Sequence, residues 1–165
     1  MKRAYLSLGS NLGDRLARMK QALGGLAAGG VWVRRTSSYY KTQPVDFLPQ
    51  GWFLNCVAEV ETDLMPMQLL RACQAVERAG GRRPGVVKGP RAIDIDILLY
   101  ENAVIRSREL VVPHEQLAER RFVLVPLNEL APDARHPSFD RTARELLHDT
   151  PDRSQVIRLH SEPYS

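Results

Sequence analysis

An α+β fold built on an antiparallel sheet is predicted for this chain. Three observations predict it: strand-like and helix-like periodicities alternate, glycine and proline breaks separate them, and the composition can fill one core. The 165 residues are 44% hydrophobic and 7% aromatic, enough at this size to bury roughly 70% of the unfolded surface without disulfide or metal staples. Global disorder is excluded, and a single domain over 1–165 is expected.

Residues 3–8 alternate, with Ala4, Leu6 and Leu8 on one side and Tyr5 and Ser7 on the other, the period of a strand. Gly9-Ser10-Asn11-Leu12-Gly13-Asp14 breaks the alternation and reads as a tight turn whose glycines supply backbone geometry. It lacks the GxxxxGK[ST] pattern, so it is not a Walker-type phosphate loop. Leu16, Met19, Leu23 and Leu26 then follow helical spacing, with Asp14 placed to cap the helix and Gly29-Gly30 to end it. A second strand runs from Val31 to Tyr40, rich in β-branched and aromatic residues, and gives way to irregular chain around Pro44, Pro49 and Gly51. Leu54 to Thr62 forms the third strand.

Pro66 suits the first turn of a second helix, whose buried stripe is Leu69, Leu70, Cys73 and Val76 and whose end is Gly80-Gly81. A loop containing Pro84, Gly85, Gly89 and Pro90 leads into Ile93 to Tyr100, the strongest strand signal in the chain. The order β-α-β-β-α-β is the split unit of the ferredoxin-like fold, with two helices on one sheet face. Beyond it, helical patterns at 122–131 and 139–148 and an edge strand at 156–160 complete the chain.

The formal net charge is +4, from 23 Lys+Arg against 19 Asp+Glu, and only four of the basic residues are Lys. Arginine favours planar, bidentate contacts to carboxylate or phosphate. Five positive charges, Arg78, Arg82, Arg83, Lys88 and Arg91, fall within 78–91 with no acidic residue among them, which leaves the remainder of the chain at −1. The basic excess is therefore local and argues against nucleic acid or membrane as a partner. No window approaches the ~18 apolar residues of a membrane span, and the N-terminus has no signal-peptide pattern. Cys56 and Cys73 lie in apolar runs without a CxxC partner and read as reduced core thiols. A cytoplasmic monomer is expected.

Ile93-Asp94-Ile95-Asp96-Ile97 places its isoleucines on one strand face and both carboxylates on the other, about 6.5 to 7 Å apart by strand rise. Oxygen ligands without a neighbouring His or Cys suit Mg²⁺, which takes one or two carboxylates plus substrate phosphates. Taken alone, the pattern also fits a half-exposed strand with a polar outer face, and the arginines fit a solvated loop. Their adjacency is what a metal-bound polyphosphate requires: carboxylates for the metal and guanidinium groups for the oxygens. Pro113-His114 and Arg120-Arg121 could extend such a site, or be a capping histidine with exposed arginines. Phe47, Trp52, Phe53 and Asn55 could line a pocket for a flat heterocycle, or pack beneath a loop. An RNA-binding sheet would need aromatics on its central strands, where LNCVAEVET and IDIDILLY carry none apart from the final Tyr100.

Over most of its length the sequence resembles the 6-hydroxymethyl-7,8-dihydropterin pyrophosphokinase family. The resemblance rests on YLSLGSNLGDR, SSYYKTQP, FLN at 53–55, GPRAIDIDILLY, VPH at 112–114 and RRFVLVPLNELAP. It implies a single pyrophosphokinase domain with a ferredoxin-like core, acting in folate biosynthesis by moving pyrophosphate from ATP to the pterin alcohol with release of AMP. Carried over by position, Asp94 and Asp96 would hold two Mg²⁺ ions, and Arg82, Arg91, His114 and Arg120 would contact phosphate, with Arg83 beside them. Arg82 and Arg91 would join Asp94 and Asp96 as the catalytic set. Gln74, Glu77 and Ile97 would line the nucleotide site. Thr42, Pro44, Val45, Phe53, Asn55 and Phe122 would form the pterin pocket. Lys88 stands where some members have a tryptophan over the pterin, and Glu109, Val111 and Glu115 stand where some have Arg, Thr and Tyr near the nucleotide.

Overall fold

The computed structural model describes residues 1–43, 51–81 and 92–159. Strands β1 (Lys2–Ser10), β2 (Val31–Thr36), β3 (Tyr40–Thr42), β4 (Phe53–Thr62) and β5 (Asp94–Tyr100) are joined by helices α1 (Arg15–Leu26) and α2 (Pro66–Ala79). The hairpin β6 (Ile105–Arg106) and β7 (Val111–Val112) follows, then α3 (Arg121–Leu130), the hairpin β8 (Arg135–His136) and β9 (Arg141–Thr142), α4 (Ala143–Asp149) and β10 (Val156–Arg158). The main sheet is antiparallel in every pairing, in the order β10-β3-β4-β1-β5, with β2 also paired to β4. It is a mixed helix and sheet fold, as expected.

Local chemistry explains most boundaries. Asp14 caps α1 by accepting the Ala17 N–H at 3.1 Å, and Gly13 takes φ +64°, where a side chain would be strained. The strand expected over 31–40 divides. At the break the Ser37 N–H donates to the Val57 carbonyl at 2.8 Å, while the Ser37 hydroxyl accepts the Val57 N–H at 2.9 Å in place of a strand carbonyl. β1 runs to Ser10, two residues beyond the expected alternation, so Gly9 lies in a strand and not in a turn. The last helix begins at Ala143 and not near 139, because Thr142 caps it: its hydroxyl accepts the Glu145 N–H at 3.2 Å, and Glu145 accepts the Thr142 N–H at 3.0 Å. The edge strand is shorter than expected, at three residues.

Two apolar clusters occupy the two faces of the sheet. On the first, Ala4, Leu6, Leu8, Leu54, Cys56, Ala58, Val60, Ile95 and Ile97 meet Leu16, Met19, Leu26, Leu69 and Cys73 of α1 and α2. Each fully buried side chain of this size contributes about 1.5 to 3 kcal/mol. On the second, Tyr5, Val57, Leu98 and Leu99 meet Val123, Leu124, Leu127, Ala143 and Leu146 of α3 and α4. The pairing of β1 with β5 shifts register between Tyr5 and Leu6, which pair with Leu99 and Ile97. Leu98 is the extra residue of that bulge. Helices therefore lie on both faces, where the strand and helix order alone placed two on one. Among the described residues, the cluster formed by the second pair includes neither Asp94 nor Asp96.

Candidate active site

Strand register assembles the end that carries Asp94 and Asp96. Gly9 pairs with Asn55 of β4 and with Asp94 of β5, and Ser7 pairs with Asp96. Thr42 pairs with Phe53, and Tyr40 with Asn55. Directly opposed residues of an antiparallel ladder share a face. Thr42, Phe53, Asn55, Gly9, Ser7, Asp94 and Asp96 thus form one continuous patch, and residues far apart in sequence become neighbours.

Its centre is closely fitted. Asn55 and Thr42 are buried, at 4% and 3% exposure, and the Asn55 amide donates to the Thr42 hydroxyl. A Cβ placed on Gly9 would lie 2.6 Å from Asn55 Oδ1 and 3.7 Å from Phe53 Cδ1. Glycine is required there for room, not for unusual backbone angles. The turn reading of this residue is replaced by one of close approach.

Beside the carboxylates, the His114 main-chain N–H donates to the Leu98 carbonyl at 2.9 Å, and its Nδ1 accepts the Gln116 N–H at 3.1 Å. A neutral imidazole held this way carries its proton on Nε2, the atom that lies 3.9 Å from Asp96 Oδ2. Burial holds the His114 pKa below its usual value, and the Arg120 guanidinium adds to the effect; Asp94 and Glu115 oppose it. The Arg120 guanidinium carbon lies 5.5 Å from the Phe122 ring centroid. Asp152 accepts the Arg121 N–H at 2.8 Å, capping α3 from 31 residues away and fixing the turn that carries Arg120 and Phe122.

Two residues expected to line the nucleotide site are buried. Glu77 is buried at 7% exposure, and its Oε2 accepts the Ile95 N–H at 2.8 Å, satisfying the open edge of β5 midway between the two aspartates. The Ile97 side chain, 4% exposed, belongs to the core on the opposite face, so what it can offer a nucleotide is main chain. Gln74 is half-buried on α2, one turn before Glu77. Arg82, Arg83, Arg91, Pro44 and Val45 lie outside the described residues, as do Phe47 and Lys88. Both cysteines are free and buried. Burial pushes each thiol up to about 12, with the negative charges of Glu77 and Asp96 adding to the effect at Cys73.

Trp52 does not join Phe53 on the patch: its ring lies 4.3 Å from the Arg15 guanidinium carbon and 5.0 Å from Lys41 Nζ. Sequence reasoning also missed Glu59, 7% exposed, which accepts from Tyr5 at 3.0 Å and from Arg35 at 2.7 Å. The Arg35 hydrogen bond leads in holding its carboxyl below the usual range. Strand alternation put Tyr5 on this face, but its partner is 54 residues away.

Among the described residues, no group of three or more His, Cys, Asp or Glu side chains is arranged to hold a metal ion. Two carboxylates on one face, with Asp96 44% exposed, instead fit an ion that completes its shell with phosphate oxygens and water, as Mg²⁺ does. A separate cavity of about 460 Å³ between α1 and α2 is lined by Ala22, Gly25, Ala72, Val76 and Gly80 among others, and by none of the predicted site residues. Among the described residues, no helix is long and apolar enough to cross a membrane.

Comparison with known proteins places this geometry in context. The model of the family described as 7,8-dihydro-6-hydroxymethylpterin-pyrophosphokinase matches residues 5–132. The 2-amino-4-hydroxy-6-hydroxymethyldihydropteridine pyrophosphokinase of Methylorubrum extorquens is 48% identical over 134 residues, covering 81% of this chain and 85% of that protein. The Bacillus subtilis protein of the same name is 44% identical over 128 residues, 77% of each. The folic acid synthesis protein fol1 of Schizosaccharomyces pombe is 46% identical over 161 residues, 97% of this chain, but the chain spans only 22% of that longer protein. A solved HPPK-DHPS structure in complex with substrates superposes with a TM-score of 0.71 at 15% identity, over 89% of this chain and 43% of that one, a likeness of fold.

Proposed function

Since the chain belongs to the 7,8-dihydro-6-hydroxymethylpterin-pyrophosphokinase family, we propose that it transfers pyrophosphate from ATP to 6-hydroxymethyl-7,8-dihydropterin in folate biosynthesis, releasing AMP. One observation carries this reading: Gly9 sits between Asn55 and Asp94 in the sheet register. A buried amide suited to a heterocycle edge and a carboxylate pair suited to a metal-bound phosphate are thereby two strands apart on one face. The family's ferredoxin-like core is supported by four strand positions, β2 with β3, then β4, β1 and β5, backed by α1 and α2.

In this reading Asn55 and Thr42 hydrogen-bond the pterin edge, while Phe53 and Phe122 pack on its rings. Asp94 and Asp96 hold Mg²⁺, two ions by family resemblance, which supplies charge neutralisation on the phosphate oxygens when bound. Neutral His114 donates from Nε2 to a phosphate oxygen, and Arg120, with Arg82, Arg83 and Arg91, neutralises the transferring group. The pterin hydroxymethyl oxygen attacks the β-phosphorus in line and releases its proton to solvent. The bond from that phosphorus to the oxygen bridging the α-phosphate breaks, and AMP departs. Nothing covalent passes through the protein, so rate acceleration comes from positioning and electrostatics. Glu77 acts one step removed, by holding the strand that carries both aspartates.

The test is a product assay. Incubation with ATP, MgCl₂ and 6-hydroxymethyl-7,8-dihydropterin yields AMP and the pterin diphosphate by ³¹P NMR. Formation of ADP, or ATP binding without turnover, overturns the proposal.

A further inference from the structure

Arg15, the first residue of α1, bridges three segments that the proposed chemistry does not use. Its Nε donates to the Trp52 carbonyl at 3.0 Å, and its Nη2 donates to the Asn11 carbonyl at 3.2 Å. Its guanidinium carbon stands 4.3 Å from the Trp52 ring centroid, and Lys41 Nζ stands 5.0 Å from the same centroid. Nη2 also lies 3.1 Å from where a Cβ on Gly51 would stand. The Trp52 carbonyl and ring are thus both held, the carbonyl by a guanidinium and the ring by two cations.

Trp52 immediately precedes β4. Side chains alternate along a strand, so Trp52 sits behind the sheet when Phe53 and Asn55 face the site. Lys41 belongs with Trp52 for the same reason, one residue from Thr42 on β3. A guanidinium is the side chain suited to this role: it offers separate donors to two carbonyls in a fixed plane while lying against an aromatic ring. Lysine can supply the cation but not the planar fork.

We propose that Arg15 is a positioning residue for the pterin end of the site, fixing the main chain at Trp52 and thereby the setting of Phe53 and Asn55. The inference rests on the pterin reading above. The phosphate end, on β5 and at His114, is reached through other strands, so the effect is confined to one substrate.

The experiment compares wild type, Arg15→Ala and Arg15→Lys, each also in a Trp32→Phe background that leaves Trp52 as the sole tryptophan. Both Arg15 variants are expected to raise KM for the dihydropterin about tenfold, with KM for ATP and kcat within about threefold, since a misplacement well short of 1 Å suffices for such a loss. Acrylamide quenching of Trp52 rises in the alanine variant. A dihydropterin KM unchanged in Arg15→Ala, or equal losses for both substrates, overturns the proposal, the latter because a purely structural role would produce it. An Arg15→Lys variant identical to wild type overturns the role of the fork and leaves the outcome against the proposal. A wild type that binds no dihydropterin sinks the functional reading itself, which distinguishes that failure from the others.

Discussion

Gly9→Ala tests the core of the site most directly. The added Cβ would fall 2.6 Å from Asn55 Oδ1, whereas real Cβ contacts essentially never fall below 3.0 Å and ordinary ones begin near 3.4 Å. Either Gly9 or the amide must therefore move by about 0.4 to 0.8 Å. Asn55 has little freedom to absorb this, being 4% exposed and hydrogen-bonded to a Thr42 that is itself buried. A displacement approaching 1 Å costs on the order of 100-fold in rate when it misplaces a substrate, so kcat/KM for the dihydropterin should fall about 10- to 100-fold. Breaking the Asn55–Thr42 bond in the interior costs about 1 to 3 kcal/mol, and at about 2 to 4 °C per kcal/mol for a chain of this size the Tm should fall roughly 2 to 12 °C. The assays are steady-state AMP release with each substrate varied and thermal denaturation. Gly24→Ala is the control: nothing lies within 4 Å of its added Cβ, and an alanine within α1 should gain up to about 1 kcal/mol with activity intact. If Gly9→Ala keeps kcat/KM for the pterin within twofold of wild type, the close-packing argument at Asn55 is wrong.

Other perturbations probe the surrounding residues. Asp96→Asn, at a side chain 44% exposed, should leave the Tm nearly unchanged while lowering kcat at least 100-fold and raising the Mg²⁺ needed for half-maximal rate; an unaltered Mg²⁺ titration would remove this carboxylate from the metal role. Glu77→Ala strands the buried Ile95 N–H that Glu77 accepts, for a loss of about 1 to 3 kcal/mol. Glu77→Gln retains an acceptor and should be closer to wild type in urea denaturation, so equal losses in the two variants would contradict the strand-edge role. His136 is buried and accepts the Ser138 and Phe139 N–H groups at Nδ1, and burial leads in holding its pKa below the ordinary 6.5. Between that lowered value and 6.5 the unfolded chain binds more protons, so this contribution to stability is full above 6.5 and declines as pH falls through the window; an NMR titration midpoint above 6.5 would refute it.

How far the sequence revealed the fold depends on the range of the forces involved. Period-two and helical spacing found β1, α1, β4, α2 and β5 within a residue or two, because each follows from which side chains a neighbouring layer buries. The division of the strand at 31–40 was not visible, since it depends on Ser37 exchanging hydrogen bonds with Val57, 20 residues on. The placement of α3 and α4 on the second face was not visible either, because amphipathic spacing states that a helix has a buried side and not what it is buried against. Within the site, the carboxylate pair was legible from alternation alone. The amide beside it was a candidate from residue type, with packing beneath a loop as the alternative, and only family resemblance favoured the pocket; the role of Gly9 was reached by neither, because a glycine that makes room across a ladder looks in sequence like a glycine that makes a turn. Glu77 was expected at the nucleotide site by family resemblance, and its bond to the Ile95 main chain has no signature in residue type.

Among the described residues, the apolar cluster beneath α3 and α4 stops short of the two aspartates. Two carboxylates about 6.5 to 7 Å apart along a strand repel by roughly 0.6 kcal/mol in water but about 2.5 kcal/mol at an effective dielectric near 20. Had α3 and α4 extended over Asp94 and Asp96 as they do over Tyr5 and Leu98, the repulsion between the two would move toward the larger figure. The bulge at Leu98 marks the transition: before it, alternation places Asp94 and Asp96 outside the cluster, and at it Leu98 and Leu99 both enter the cluster beneath α3 and α4. Edge position matters equally, because among the described residues β5 pairs only with β1 in the sheet order and its outward N–H at Ile95 is met by Glu77. A carboxylate pair on an interior strand could be approached only from above. On this edge, where β5 has one strand neighbour among the described residues, a side chain from α2 can reach the main chain between the two aspartates, as Glu77 does at Ile95.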